Sequence, residues 1–397
     1  MPIMRKLLAI VLTVLLLVTM LPAVALEEVE ERPEVEHTID DEGNVLVQPT
    51  SAQWDKLLEV IDETGVLKLV GPEIEDMTAG ILEADLVKLT GSDNLRTFMF
   101  SAMNMEICVP RGALEGMKVK GDRVRFGLKP GSLVFELTDA EGEIVYWYDY
   151  RNPVTVSLPA APPQDINTRQ VVMVDRYGGG GEIIPRSWYA EGKVFAKVCT
   201  TGTYAAAVSV LGEFADTTGL WMEDSVGYIA ARVVALGVGD EMFDTDATIT
   251  RAHFITMIMR MLYLQLDYEE AMPPEDYESA PDWAKESIRA ATALGLTLRD
   301  EDGNFNPNAP ILRQEMFFMA YEAMQICGMI PAVFTQEWIE FTDWDGNVKG
   351  EYGLAVQNLC KLGLVSGYGD GMLNPNGEST RAEGAQFLCN ILKYDAK

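Results

Sequence analysis

From about residue 250 onward the apolar positions fall at helical spacing. Phe254, Met257, Ile258, Met261 and Leu262 form one stripe, Met316, Met319, Ala320, Ala323 and Met324 a second, and Phe387, Leu388, Ile391 and Leu392 a third. Recurrence at i, i+3, i+4 and i+7 predicts three amphipathic helices, each burying one face as packing core. Each stripe follows a similar opening: Ile249-Thr250-Arg251-Ala252-His253, Ile311-Leu312-Arg313-Gln314-Glu315 and Ser379-Thr380-Arg381-Ala382-Glu383. The arginines are 62 (313 − 251) and 68 (381 − 313) residues apart. A period of that length denotes stacked supersecondary units. In the middle unit a first helix is predicted over Trp283 to Leu294, stopped by Gly295, where a helix end favours a residue tolerant of positive φ. The turn-rich Asp302-Gly303-Asn304-Phe305-Asn306-Pro307 then leads to the second helix.

Upstream the pattern changes. After a short helix near Trp54 to Ile61, apolar runs of strand length recur, among them Val66–Val70, Thr97–Phe100, Met105–Pro110, Val124–Leu128, Leu133–Leu137, Val154–Pro159, Val171–Val174, Val194–Val198 and Tyr204–Val208. Gly, Pro, Asn and Asp punctuate them, which predicts a β-sandwich-like domain over residues 51–211. The chain divides into a signal peptide (1–25), an acidic linker (26–50), this β-rich domain, and helix-loop-helix repeats over 212–397, at about 214–265, 274–330 and 339–397.

The repeated arginine sits at an unusual place. Thr380 and Glu383 form a capping box, which makes Arg381 the first helical residue, facing the positive end of the helix dipole. Unpaired first-turn N–H groups beside a guanidinium would suit a carboxylate or phosphate. The alternative is a solvated arginine or a surface ion pair. Three arginines at matching positions suggest a multivalent binding surface.

These residues resemble the S-layer homology triplet. The family's aromatic-x-Asp opening is matched by Phe214-Ala215-Asp216 and Phe341-Thr342-Asp343, with a degenerate Tyr277-Glu278-Ser279 between them. Trp283-Ala284, the Asp302–Pro307 loop, the Gly369–Pro375 loop and the Thr-Arg-Ala-Glu opening complete the match over roughly residues 212–397. The resemblance implies an all-α, pseudo-threefold module that anchors an exported bacterial protein to a secondary cell-wall polysaccharide, often one carrying an acidic pyruvate ketal. It implies a polysaccharide-binding set of Arg251, Arg313, Arg381, Trp283, Asp216 and Asp343. Departures stand in each unit: His253 replaces Glu, Leu312 replaces the capping Thr, and Glu351 aligns with Trp283. The stretch Pro153 to Val208 is similar to a β domain that often precedes such triplets, which implies no activity.

The remaining signals concern destination and chemistry. Arg5-Lys6, the apolar run Leu7 to Met20 and Ala23-Val24-Ala25 read as a secretory signal with its cleavage site. After cleavage no membrane association is expected, and the location is the cell wall or S-layer surface. The formal net charge of −30 argues against nucleic acid and anionic membranes as partners, while self-association or contact with other surface proteins stays open. Cys108, Cys199, Cys327, Cys360 and Cys389 show no C-x-x-C spacing, so zinc is not expected; Cys360 and Cys389 could pair. Asp300-x-Asp302-x-Asn304 and Asp343-x-Asp345-x-Asn347 lack the glycine at position 6 and the Glu at position 12 of a calcium loop. Gly178–Gly181 lacks the Lys-Ser/Thr of a phosphate loop and reads as a turn. With only His37 and His253 as histidines, neither near a nucleophile, no catalytic residue and no cofactor is expected. The expectation is a non-enzymatic, wall-anchored structural protein, with an adhesin or a wall-anchored hydrolase as alternatives.

Overall fold

The computed structural model describes residues 35–396, apart from 36, 42, 72–78, 177–180, 265–267, 335, 345–347 and 349. The expected signal peptide, most of the 178–181 glycine run and part of the second calcium-like loop lie outside the described residues.

The first half of the chain builds two sheets over one core. Its strands are β1 (His37–Ile39), β2 (Asn44–Val47), β3 (Val66–Val70), β4 (Ala79–Asp85), β5 (Thr97–Ala102), β6 (Met105–Pro110), β7 (Arg123–Lys129) and β8 (Ser132–Thr138). They continue with β9 (Ile144–Val145), β10 (Val154–Pro159), β11 (Val171–Asp175), β12 (Glu182–Ile184), β13 (Ser187–Ala190), β14 (Lys193–Val198) and β15 (Gly202–Val208). One sheet has the order β1-β2-β4-β7-β8-β15-β11-β12, with β9 on β8; the other runs β13-β14-β10-β6-β5-β3. Alternation sets the inward face: Val124, Phe126 and Leu128 on β7 and Leu133, Phe135 and Leu137 on β8 are buried. A line of aromatic contacts threads the sandwich, from Trp54 to Phe98 (6.1 Å), Phe126 (6.2 Å), Phe135 (5.5 Å) and Trp147 (5.6 Å).

Three features depart from the sequence reading. Residues 44–47, placed in the acidic linker, form β2, which pairs in parallel with β4 and buries Val45 and Val47. A run of acids flanks them, but Val-Leu-Val alternation with a buried sheet edge outweighs it. Besides α1 (Ser51–Glu59), the domain holds helices α2 (Leu86–Gly91) and α3 (Arg111–Lys118). The first is nucleated by Asp85, whose carboxylate accepts from Val87 and Lys88 N–H. Each is too short for the sequence period to announce it.

The second half is all-helical, in three pairs: α4 (Glu223–Ala231) with α5 (Arg251–Leu262), α6 (Asp282–Ala293) with α7 (Arg313–Ile326), and α8 (Gly350–Lys361) with α9 (Arg381–Asp395). The expected stripes are buried together in one core shared by all three units. At its centre the segments before α5, α7 and α9 close a ring of backbone hydrogen bonds: Ile249 N–H to Ser379 C=O (2.9 Å), Ile311 N–H to Ile249 C=O (3.0 Å) and Ser379 N–H to Ile311 C=O (3.2 Å). Each unit thus depends on the other two, which is why the repeats form one module.

The halves are joined by buried charge. Arg186 on the loop before β13 donates from Nε and Nη2 to the carboxylate of Asp395 at the end of α9 (2.7 and 3.0 Å). Lys197 adds a third contact at 2.9 Å. The fully buried Arg232 donates to the carbonyls of Ser187, Arg169, Val171 and Tyr228. All five cysteines are free thiols, Cys360 and Cys389 included. Among the described residues no helix is long and apolar enough to cross a membrane.

Candidate binding grooves at the three seams

The helix openings are closed to ligands at the backbone. Arg251 and Ala252 N–H donate to Ala309 and Pro307 C=O, Arg313 and Gln314 to Gly377 and Pro375, and Arg381 and Ala382 to Ala247 and Thr245. Each helix start is thereby docked on a loop of the next unit, cyclically. The N–H three residues on is capped by Thr250 in α5 and Thr380 in α9. The first-turn N–H groups that would have made an anion site are thereby satisfied in α5 and α9, and in α7 those of Arg313 and Gln314 are.

The guanidiniums themselves are buried in the seams. Arg251 donates from Nε to Phe305 C=O (2.6 Å) and from Nη2 to Leu298 C=O (2.7 Å), and Arg381 does so to Phe243 (3.0 Å) and Leu236 (3.1 Å). Arg313 donates from Nε to Leu373 C=O (3.0 Å). Arg251 and Arg381 lie over the rings of Phe305 and Phe243; Arg313, whose loop offers Leu373 instead, lies over Phe317 and Tyr368.

The loops these arginines contact are braced by an aspartate. Asp216 accepts from Phe243, Asp244 and Thr245 N–H, and Asp343 from Leu373 and Asn374 N–H. In the middle unit Asp276 does the same for Phe305 and Asn306. Tyr277-Glu278-Ser279 is therefore out of register, and the middle opening is Pro274-Glu275-Asp276. Without an aromatic two residues ahead, the sequence carried no cue. Burial pushes the Asp216 carboxyl up, but the backbone N–H groups around it prevail and hold it below its ordinary value. Asp300 closes a local turn, accepting from the N–H of Asp302 and Asn304 and from the amide of Asn306, and is likewise held low, chiefly by Asn306.

What distinguishes the seams is the third residue of each second helix. Arg251 Nη1 is 2.8 Å from Glu315, and Arg313 Nη1 is 3.4 Å from Glu383. By the same cycle Arg381 faces His253, and it forms no ion pair among the described residues. Thr250 Oγ1 accepts the His253 backbone N–H and lies 2.7 Å from Nδ1, a hydrogen bond whose donor depends on the ring tautomer. Burial and the nearby Arg381 both lower the His253 pKa below 6.5. Burial also lowers that of Arg381, against the opposing pull of Asp244 and Asp216.

This seam opens into a groove of about 220 Å³ lined by the 235–238 turn, His253, Thr256, Met257, Arg260, Trp283 and Arg381. Among the described residues no carboxylate lines it, in a chain whose formal net charge is −30. Trp283 is 48% exposed and stacks on His253 at 4.7 Å. The Arg313 seam opens into a groove of about 240 Å³ that includes Glu383, Tyr368 and Trp221. Arg381 and Trp283 thus share one groove and Arg313 lines another, while Asp216 and Asp343 spend their carboxylates on loop backbone. Glu315, Glu383, Trp221 and Arg260 escaped sequence reasoning. The Glu at the third helical position was legible as a cap, but its second partner lies in another unit.

Comparison with known proteins agrees with this architecture. The S-layer homology domain model matches residues 213–255, 276–317 and 340–385, one segment per helix pair. The chain carries an S-layer homology triplet behind a β-sandwich-like domain, and it is an exported protein of the cell surface. It is 29% identical over 206 residues to the exoglucanase XynX of Acetivibrio thermocellus, covering 50% of this chain and 18% of that protein. It is 30% identical over 185 residues to an amylopullulanase of Thermoanaerobacterium thermosulfurigenes, covering 45% and 9%. An S-layer protein of Bacillus licheniformis is 29% identical over 212 residues, covering 52% and 23%. The chain spans less than a quarter of the length of each of these relatives. The expectation of a non-enzymatic chain is overturned by the first two: proteins named as polysaccharide-degrading enzymes are as similar to it as an S-layer protein is. Missing histidines were a poor guide, since carboxylates alone can hydrolyse glycosides.

Proposed function

We propose that the triplet anchors this protein non-covalently to a secondary cell-wall polysaccharide bearing carboxylate groups, a pyruvate ketal being the one we favour. The observation that carries the reading is the Arg381 groove: cationic, without a carboxylate among the described residues that line it, and floored by the Trp283–His253 stack. A guanidinium whose hydrogen bonds among the described residues leave Nη1 over suits a carboxylate, and an exposed indole suits the apolar face of a sugar. Arg381 and Trp283 are the contact residues in this reading. Arg251 and Arg313 chiefly tie the seams, and Asp216 and Asp343 brace the loops that hold Arg381 and Arg313. Residues 37–211 act as the unit carried, and 212–397 as the anchor. The full chain is expected to sediment with native walls and to stay in solution when the acidic polymer has been stripped. Equal sedimentation with both would overturn the reading.

A second reading rests on the enzymes among the similar proteins: the chain, or a longer protein containing it, acts on polysaccharide while held at the wall. Release of reducing ends from glucan, starch and xylan by the full chain tests it. Turnover abolished by a single Asp or Glu substitution in residues 37–211 would support it.

A further inference from the structure

Where the two halves meet they leave a cavity of about 500 Å³, the size of a small-molecule site. Cys108, Thr155 and Lys197 stand side by side across β6, β10 and β14 and line it from the sheet. Arg151, on an exposed turn, forms part of its rim. The ends of α7 and α9, with Met329, Tyr394 and Asp395, close it from the helical half. Neither half holds the cavity alone; it exists only when the two are docked.

Its charge is unbalanced. Arg151, Arg186 and Lys197 line it against the carboxylate of Asp395, an excess of two positive charges (3 − 1) in a chain of formal net charge −30. The thiols do not offset this: burial pushes Cys108 up to about 11 and Cys327 up to about 12, so both are neutral near pH 7. The acids close by along the chain are engaged elsewhere. Asp149 accepts from the N–H groups of Arg151 and Asn152 and from the Asn152 amide, and Glu106 pairs with Lys68 and Lys193. The C-terminal ends of α7 and α9 each bring about half a negative charge, which leaves an excess of roughly one. Asp395 takes Nε and Nη2 of Arg186 and one contact from Lys197 Nζ. Among the described residues the buried Nη1 of Arg186 has no oxygen or nitrogen partner, and Arg151 enters no ion pair.

We propose that this junction cavity binds a small organic acid, its single carboxylate drawn to Arg151 and Lys197 and its apolar body set against Pro153, Met329 and Tyr394. An unpaired guanidinium offers a carboxylate two parallel N–H bonds, and an ammonium with one of three donors committed has others to give. An excess of one charge is matched by one acidic group, and a dianion would be repelled by Asp395. The mixed lining, charged at one side and apolar at the other, selects against a bare inorganic ion and against a neutral molecule alike. A ligand seated here touches both halves at once. It therefore stabilises the docked arrangement by mass action, and the joint between carried unit and anchor becomes ligand-dependent.

The test titrates the full chain calorimetrically with benzoate, with acetate as the charged head alone and benzyl alcohol as the body alone, at fixed ionic strength. Wild type is expected to bind benzoate saturably, acetate more weakly and benzyl alcohol more weakly still. Arg151→Ala is expected to weaken benzoate about tenfold or more. That side chain is exposed and holds no ion pair among the described residues, so its loss should leave the fold intact. Thr97→Phe, which fills the cavity from β5 and keeps every charge, is expected to weaken benzoate as much. Saturating benzoate should raise the urea midpoint of wild type and leave that of Arg151→Ala in place. No saturable benzoate binding by wild type would overturn the proposal, as would benzyl alcohol binding as tightly as benzoate. Unchanged benzoate affinity in either variant would do the same, because the acid would then be held elsewhere on the chain.

Discussion

Arg381 meets His253 at the seam where, in the other two, an arginine meets a glutamate: Arg251 with Glu315 at 2.8 Å and Arg313 with Glu383 at 3.4 Å. One side chain therefore sets which groove of a near-symmetric module keeps its positive charge. The carboxylate that ties a seam also neutralises it, so restoring it should cost function and not stability.

His253→Glu is expected to pair with Arg381 and to weaken binding to acidic wall polymer about tenfold or more, since a charge-assisted contact contributes roughly 1.5–3 kcal/mol. Arg381→Ala should do the same, and Arg251→Ala less. Titration of each full-length variant against purified polymer, with circular dichroism to confirm folding, decides it. An unchanged affinity for His253→Glu would show that the missing carboxylate is not what selects the groove.

The same histidine makes the groove pH-dependent. Its folded pKa is depressed below 6.5 by burial and by Arg381, so the unfolded chain binds the extra proton more readily. The stability this confers is fully present above pH 6.5 and is lost as pH falls through the folded value. Protonation also adds charge beside Arg381 and Arg260, so acidic polymer should bind more tightly over the same acid range. His253→Gln is expected to flatten both profiles. Melting curves and titrations at pH 7.5 and pH 5.5 check this, and parallel profiles for the two proteins would count against it.

Asp395 locks the two halves together. Burial pushes its carboxyl up, but Arg186 and then Lys197 outweigh that and hold it low. Asp395→Asn leaves Arg186 buried without its counter-charge, a change that typically costs about 3–5 kcal/mol. Urea unfolding should show the loss at neutral pH. The gap to wild type should narrow as pH falls through the depressed carboxyl value, where wild type loses the charge too.

Ser379 stands in the central ring beside Ile249 and Ile311, and its hydroxyl is buried without a partner among the described residues. Its backbone N–H and C=O carry the ring bonds, so Ser379→Ala keeps them and removes the orphan. The variant is expected to be more stable by about 1 kcal/mol. A loss of stability in denaturant titration would mean that the hydroxyl has a partner in solution.

Much of this molecule follows from local pattern. Helical periodicity at Phe254, Met316 and Phe387, the capping Thr380 and Glu383, and strand alternation at Val124–Leu128 are encoded within a few residues, because backbone hydrogen bonding and side-chain direction repeat over one turn or two positions. The recurring arginine marked the seams from the sequence alone. The use of each arginine was not legible, since its partners are carbonyls and carboxylates 47 to 145 residues away. Asp276 was hidden for a related reason: only the tertiary structure shows which carboxylate reaches the loop at Phe305. The contrast between grooves was settled there too. His253 reads in the chain as a degraded cap, and becomes the feature that leaves Arg381 without an ion pair among the described residues only when three repeats close into a ring and bring residue 253 to residue 381.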